Sequence, residues 1–191
     1  MDFQLGVASS QNWLDCVITN FDQFLPDHAS CEKKASGMAM SIISHYPDKP
    51  LLLKAMLSLA IEELAHFRDV MEIMMQKGLQ ATPDRRDEYV NQFQQAMSRG
   101  KEAYLMDRLL IASIIEARGA ERFGLIAEAL PEGELKQFYT HITESESRHY
   151  VLFLDLARQL CPPERIPDRL QELLTIEADI ITRLPVRAAL H

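Results

Sequence analysis

The chain has 191 residues, 47% of them hydrophobic and 25% charged, with a net charge of −8 at neutral pH. Those values suit one folded domain over residues 1–191 and exclude a disordered or low-complexity chain. The acidic balance argues against non-specific nucleic-acid binding, and no run of about 18 uncharged apolar residues is there to span a membrane.

The opening "MDFQLGVASS" has neither the basic nor the apolar region of a secretory signal. Cys16, Cys31 and Cys161 are odd in number and sit in unrelated contexts, which favours reduced thiols and a cytoplasmic location. Strand signals are nearly absent, whereas apolar residues recur at helical spacing throughout. A short helix is expected over 10–22 and a long one from Asp27 to Tyr46, broken by "YPDKP". A second long helix runs from Pro50 to Lys77 and stops at Gly78. A shorter helix over 84–98 crosses to a third long one, 101–129. "LPEG" turns the chain into a fourth, 133–160, and a last helix spans 167–183. Two tight helical hairpins joined by one long connection make an all-α, ferritin-like four-helix bundle with one long crossover and extra short helices.

Each long helix carries a carboxylate on its apolar stripe. The first reads Ala29, Glu32, Ser36, Ala39 and Ile43; the second reads Met56, Leu59, Glu63, His66 and Val70. The third reads Leu105, Leu109, Ala112, Glu116, Ala120 and Phe123; the fourth reads Leu135, Tyr139, Ile142, Glu146, His149, Phe153 and Leu156. Glu and His three residues apart share a helix face. At about 1.5 Å per residue, each of the four glutamates stands roughly 21–24 Å from its hairpin turn. Glu32-x30-Glu63-x2-His66 is echoed by Glu116-x29-Glu146-x2-His149, an internal repeat of a ligand-bearing hairpin.

Four buried carboxylates would be very costly without compensation. Two divalent cations balance the four charges, and oxygen and imidazole donors suit iron or manganese. A lone Glu from two helices with Glu-x-x-His from the other two is the donor set of di-iron carboxylate proteins. Such a pair of ions, with O2, serves iron oxidation or C–H oxidation, and the donor set alone does not choose. Off the stripes, Glu62, Glu121, Glu128 and Glu144 read as solvated, and His28, His45, His141 and His191 as having no specific role. Gly119, one turn past Glu116, reads equally as room at the site or as close helix packing.

The stretches "DHASCEKKASGMA" (27–39), "SLAIEELAHFRDVMEIMMQKG" (58–78), "DRLLIASIIEARGAERFGLIAEAL" (107–130) and "FYTHITESESRHYVLF" (138–153), with the C-terminal "RLPVRAALH", resemble the bacterial tRNA 2-methylthio-N6-isopentenyladenosine hydroxylase family. The resemblance covers nearly the whole chain. It implies an O2-dependent di-iron monooxygenase that hydroxylates the isopentenyl group of a modified adenosine next to the anticodon. It places the ligands of two iron ions on Glu32, Glu63, His66, Glu116, Glu146 and His149. One oxygen atom goes to water, so two electrons come from an external donor. No G-x-G-x-x-G fingerprint for a flavin or nicotinamide is present, and a separate reductase or ferredoxin is expected. Candidate contacts to anticodon-loop phosphates are Lys33–Lys34, Arg85–Arg86, Arg99 with Lys101, and Arg183 with Arg187. The competing readings are another ferritin-like di-iron oxidase or ferroxidase, and a non-catalytic metal-binding bundle.

Overall fold

The computed structural model describes residues 3–191 and, among them, every side chain except those of Lys101 and Glu102. Lys101, one of the candidate phosphate contacts, therefore lies outside the described side chains. The described residues contain seven α-helices, a 3-10 turn at Pro163–Arg165 and no strand. The helices are α1 Gln11–Thr19, α2 Phe21–His45, α3 Pro50–Gln76, α4 Glu88–Gln95, α5 Lys101–Ala129, α6 Glu134–Leu160 and α7 Ile166–Arg183. The all-α class and the order hairpin, crossover, hairpin follow the sequence expectation. Three helices differ at their ends. α1 stops at Thr19, short of residue 22. α4 is shorter than 84–98, and α2 begins six residues before Asp27, with Pro26 inside it.

Pro26 lacks the N–H that would bond to Asp22, at a cost of about 3 kcal/mol in a helix interior. Asp22 is exposed, so water reaches the carbonyl left over. Phe24, Leu25, His28 and Ala29 are buried on either side of the proline. Burial of two large apolar side chains contributes ~1.5–3 kcal/mol each, enough to outweigh the lost bond. Packing overrides the local breaker here.

Contacts divide the chain into two compact units. One comprises Cys16–Arg85 with Arg187–Leu190 and is built on the α2–α3 hairpin. Pro50 opens α3 at a position where a missing N–H costs nothing. Gly78, at φ +70°, closes it: Leu79 N donates to Met74 O at 2.9 Å and Gly78 N to Met75 O at 3.0 Å. This paired closure needs a left-handed residue, which glycine adopts without strain. Phe24, Leu25, Ala39 and Ile42 of α2 and Leu52, Met56, Leu59, Val70 and Met74 of α3 are buried. The buried stripe of α2 thus passes through Ile42, with Ile43 only half-buried. Ser36 Oγ donates to the Ala60 carbonyl at 2.8 Å and ties the two helices together.

The other unit holds α4, the α5–α6 hairpin and α7. Its polar centre is Arg118, completely buried on α5. Arg118 Nε and Nη2 donate to the two oxygens of Glu177 on α7 at 2.8 and 3.1 Å. Its Nη1 reaches Glu121 at 2.6 Å, and its Nη2 also reaches the Val7 carbonyl at 2.7 Å. Glu121 accepts in turn from Ser9 N and Ser9 Oγ at 2.6 and 2.8 Å, and Tyr89 of α4 donates to Glu177 at 3.2 Å. One guanidinium therefore fastens the N-terminal segment, α5 and α7. Glu121 is part of this network rather than the solvated residue expected from its place off the stripe.

Removing one member of a buried ion pair leaves the other uncompensated and costs about 3–5 kcal/mol. Glu177→Ala is expected to lower unfolding stability by that amount in urea titration. Glu177→Ala combined with Arg118→Met is expected to lose less than the single variant.

Candidate metal centre

In the α2–α3 unit, Glu32, Glu63 and His66 are 3%, 1% and 4% exposed. His66 Nδ1 lies 3.5 Å from Glu32 Oε2 and 3.5 Å from Glu63 Oε2. A direct N–H···O bond prefers about 2.9–3.0 Å. Two donors bound to one ion at about 2.0–2.2 Å stand at most about 4.4 Å apart. The spacing therefore fits three donors around a shared cation. Burial, the largest influence on His66, pushes its pKa down, but the Glu32 and Glu63 carboxylates outweigh it and raise it to about 10. Burial likewise pushes Glu32 up, yet the hydrogen bond from His28 and the nearby His66 imidazole hold it well below the usual carboxylate range. The imidazole and the carboxylates thus each favour the charged form of the other.

In the α5–α6 unit, Glu116, Glu146 and His149 are equally buried. His149 Nδ1 lies 3.7 Å from Glu146 Oε1 and 3.9 Å from Glu116 Oε2. Within each trio, the donor atoms all lie within 4.8 Å of one another. His149 Nε2 faces the buried Ser145 hydroxyl at 3.5 Å, and Arg148 Nη2 donates to that hydroxyl at 3.2 Å. A methyl group at Gly119 would lie 3.5 Å from Glu146 Oε2 and 3.8 Å from the Phe123 ring. α5 is continuous through Gly119, so the glycine provides close approach to a carboxylate and no bulge.

All six residues singled out by the stripes are buried, three in each unit, each unit repeating two carboxylates and one imidazole. Hard oxygen donors with imidazole suit iron, manganese or zinc, so the residues fit the metal expected of them. Glu128, Glu144, His45 and His141 are exposed, and Glu62 is half-buried. His28 departs from the expectation of no specific role. It is completely buried, and its Nε2 lies 2.7 Å from Glu32 Oε1. The spacing His28-x3-Glu32 was the available signal, because residues four apart share a helix face. His191 also has partners: Asp87 Oδ2 at 3.0 Å from Nδ1, and the Tyr89 ring stacked at 4.5 Å.

The candidate phosphate contacts divide. Arg85, Arg86, Arg99 and Arg187 are exposed. Lys33 pairs with Asp84 at 2.8 Å, Lys34 donates to the Arg85 carbonyl at 2.8 Å, and Arg183 pairs with Asp179 at 2.6 Å. Among the described residues, no helix is long and apolar enough to cross a membrane.

Comparison with known proteins bears on this geometry. A Synechococcus protein described as having aldehyde deformylating oxygenase activity superposes with a TM-score of 0.92 and 32% identity, over 98% of this chain and 93% of its own. The fold is of that ferritin-like type. The tRNA 2-(methylsulfanyl)-N(6)-isopentenyladenosine(37) hydroxylase of Pseudomonas putida is 33% identical over 157 residues, 82% of this chain and 76% of the relative. The Salmonella typhimurium protein of the same name is 33% identical over 156 residues, 82% of this chain and 57% of the relative. Residues 2–191 match the family described as tRNA-(MS[2]IO[6]A)-hydroxylase (MiaE). With two buried Glu–Glu–His trios on a ferritin-like fold and a family match along its length, the chain belongs to the MiaE family of hydroxylases.

Proposed function

We propose that the chain is an O2-dependent di-iron monooxygenase acting on tRNA, hydroxylating the isopentenyl group of 2-methylthio-N6-isopentenyladenosine beside the anticodon. The observation that carries the reading is the repeated buried trio in a chain that matches a hydroxylase family from end to end. Glu32, Glu63 and His66 would hold one iron ion, and Glu116, Glu146 and His149 the other. When bound, paired ferrous ions supply open positions and reducing electrons for the activation of O2. Within each trio the two carboxylates would balance the two positive charges of one ferrous ion, so each buried position would be nearly neutral when filled. Apolar neighbours on the same faces, among them Leu59, Val70, Phe123 and Phe153, are buried and keep water from competing at the reacting carbon.

One oxygen atom enters the product and the other leaves as water, so two electrons and two protons come from outside. The donor is a separate reductase or ferredoxin. The exposed arginines 85, 86, 99 and 187 would meet phosphates, while the modified base would be turned out of its stack. A second reading, oxygen-dependent aldehyde deformylation, is favoured by the Synechococcus neighbour and its near-complete coverage. The two differ in organic substrate and in the bond broken: hydroxylation replaces a C–H bond with C–OH, whereas deformylation cleaves the C–C bond to the aldehyde carbon.

Metal binding requires a neutral imidazole. His66 carries its proton up to about pH 10 in the ion-free chain, so Mn2+ uptake at pH 7.5 is expected to expel at least one proton per chain. Titration calorimetry in two buffers of different ionisation enthalpy measures this. By the same linkage, the ion-free chain gains stability from His66 in full below pH 6.5 and loses it as pH rises through about 10.

Nucleoside mass spectrometry tests the substrate. tRNA from a deletion strain should lack the hydroxylated adenosine, and it should return with the wild-type chain but not with Glu146→Ala. Conversion of a long-chain aldehyde with tRNA left unmodified would establish the second reading instead. If phosphates are contacted, tRNA affinity falls steeply between 50 and 200 mM salt, roughly tenfold or more for a few contacts. An affinity flat across that range would remove the arginines from the interface.

A further inference from the structure

His28 is a buried side chain outside the six donors that touches one of them. Its ring is completely buried, and Phe24, also completely buried, stacks on it at 5.8 Å between centroids and 29° between planes. Its Nε2 stands 2.7 Å from Glu32 Oε1. An ionised carboxylate only accepts hydrogen bonds, so Nε2 carries the hydrogen. The other oxygen, Oε2, is the one that faces His66 Nδ1 at 3.5 Å. The two oxygens of Glu32 thus have separate duties, one toward His28 and one toward the space shared with His66 and Glu63.

The internal repeat makes this one-sided. One turn before Glu63, Glu116 and Glu146 stand Leu59, Ala112 and Ile142, none of which can donate a side-chain hydrogen bond. On the α5–α6 side the repeat also places Gly119 where α2 has Ala35, so that a carboxylate oxygen there lies against a residue with no side chain. One trio has an imidazole on a carboxylate oxygen; the other has Ser145 beside the outer nitrogen of His149 and a glycine against Glu146.

We propose that His28 is a positioning residue: by fixing Glu32 Oε1 it presents Oε2 to the ion, and so tightens metal binding at Glu32–Glu63–His66. A carboxylate already held in place loses less rotamer freedom when it takes an ion. Outer partners of this kind change metal affinity by about ten- to a hundredfold when removed. The inference rests on the reading of the two trios as metal positions.

The test is Mn2+ binding followed by the electron paramagnetic resonance signal of the free ion. The wild-type chain should take two ions. In a Glu116→Ala background, which leaves the Glu32 trio intact, His28→Phe should weaken the retained ion roughly ten- to a hundredfold. His28→Met is the second donor-less variant should phenylalanine overpack the site, and thermal melting of each ion-free variant verifies folding. His28→Gln, which restores a donor, should recover affinity to within about threefold of the parent. In a Glu32→Ala background the same His28 substitutions should leave the remaining ion within about twofold, because the group His28 acts through is gone. Equal weakening in both backgrounds, or none in the first, overturns the positioning role while the metal reading stands. No Mn2+ bound by the wild-type chain overturns both.

Discussion

Charge buried among helices must be compensated on the spot, because in a low-dielectric interior an ionised group without a partner of opposite sign is either expelled or neutralised. The chain meets this constraint in two ways. In the α5–α7 region, Arg118 is matched with Glu177 and Glu121 in protein-only pairs, and the serine, tyrosine and backbone groups around them complete the hydrogen bonding. In the two Glu–Glu–His trios, carboxylates outnumber the imidazole two to one, and no protein cation is supplied on the apolar stripe. The first arrangement is closed and structural. The second holds an excess of negative charge that suits a metal cation, with a proton on His66 standing in when none is bound.

Local structure serves these two clusters. The glycine closure of α3 at Gly78 and the proline start at Pro50 set where the helix begins and ends, and hence the depth at which Glu63 and His66 stand. Ser36 bound to the Ala60 carbonyl pins α2 to α3 one turn from Glu32, which fixes the helix pair close to the donors themselves. Arg169 does comparable work for the crossover: it donates to the Ala96 carbonyl at 2.6 Å and to Asp107 at 2.7–2.8 Å, while Asp107 accepts from Ser98 N at 2.6 Å. The segment entering α5 is thereby held by side chains, since Gly100 provides no side-chain cap.

The repeat of donors does not extend to their surroundings. Ser145 and Arg148 lie beside the outer nitrogen of His149, whereas on the other hairpin the buried addition is His28 beside Glu32. Under the proposed reading, different neighbours around the same donor types would give the two positions different affinities.

The amino-acid sequence by itself determined the helical class, the two hairpins, the crossover and the burial of four glutamates and two histidines on the apolar stripes. Those features are written in spacing: apolar residues at 3.6-residue intervals mark a buried face, and a carboxylate or imidazole on that stripe is buried with it. Spacing states which way a residue points and not what it meets. The ties of Arg118 to Glu177 and of Ser9 to Glu121 join residues 59 and 112 positions apart, and no local pattern pairs them. The helical Pro26 is likewise a tertiary outcome, decided by burial on both sides of it against a local preference to break. His28 lay within reach of the pattern, four residues before Glu32, but only the folded chain showed its nitrogen on one carboxylate oxygen with the other oxygen turned toward His66. Periodicity fixes a face; the partner on that face is chosen by packing.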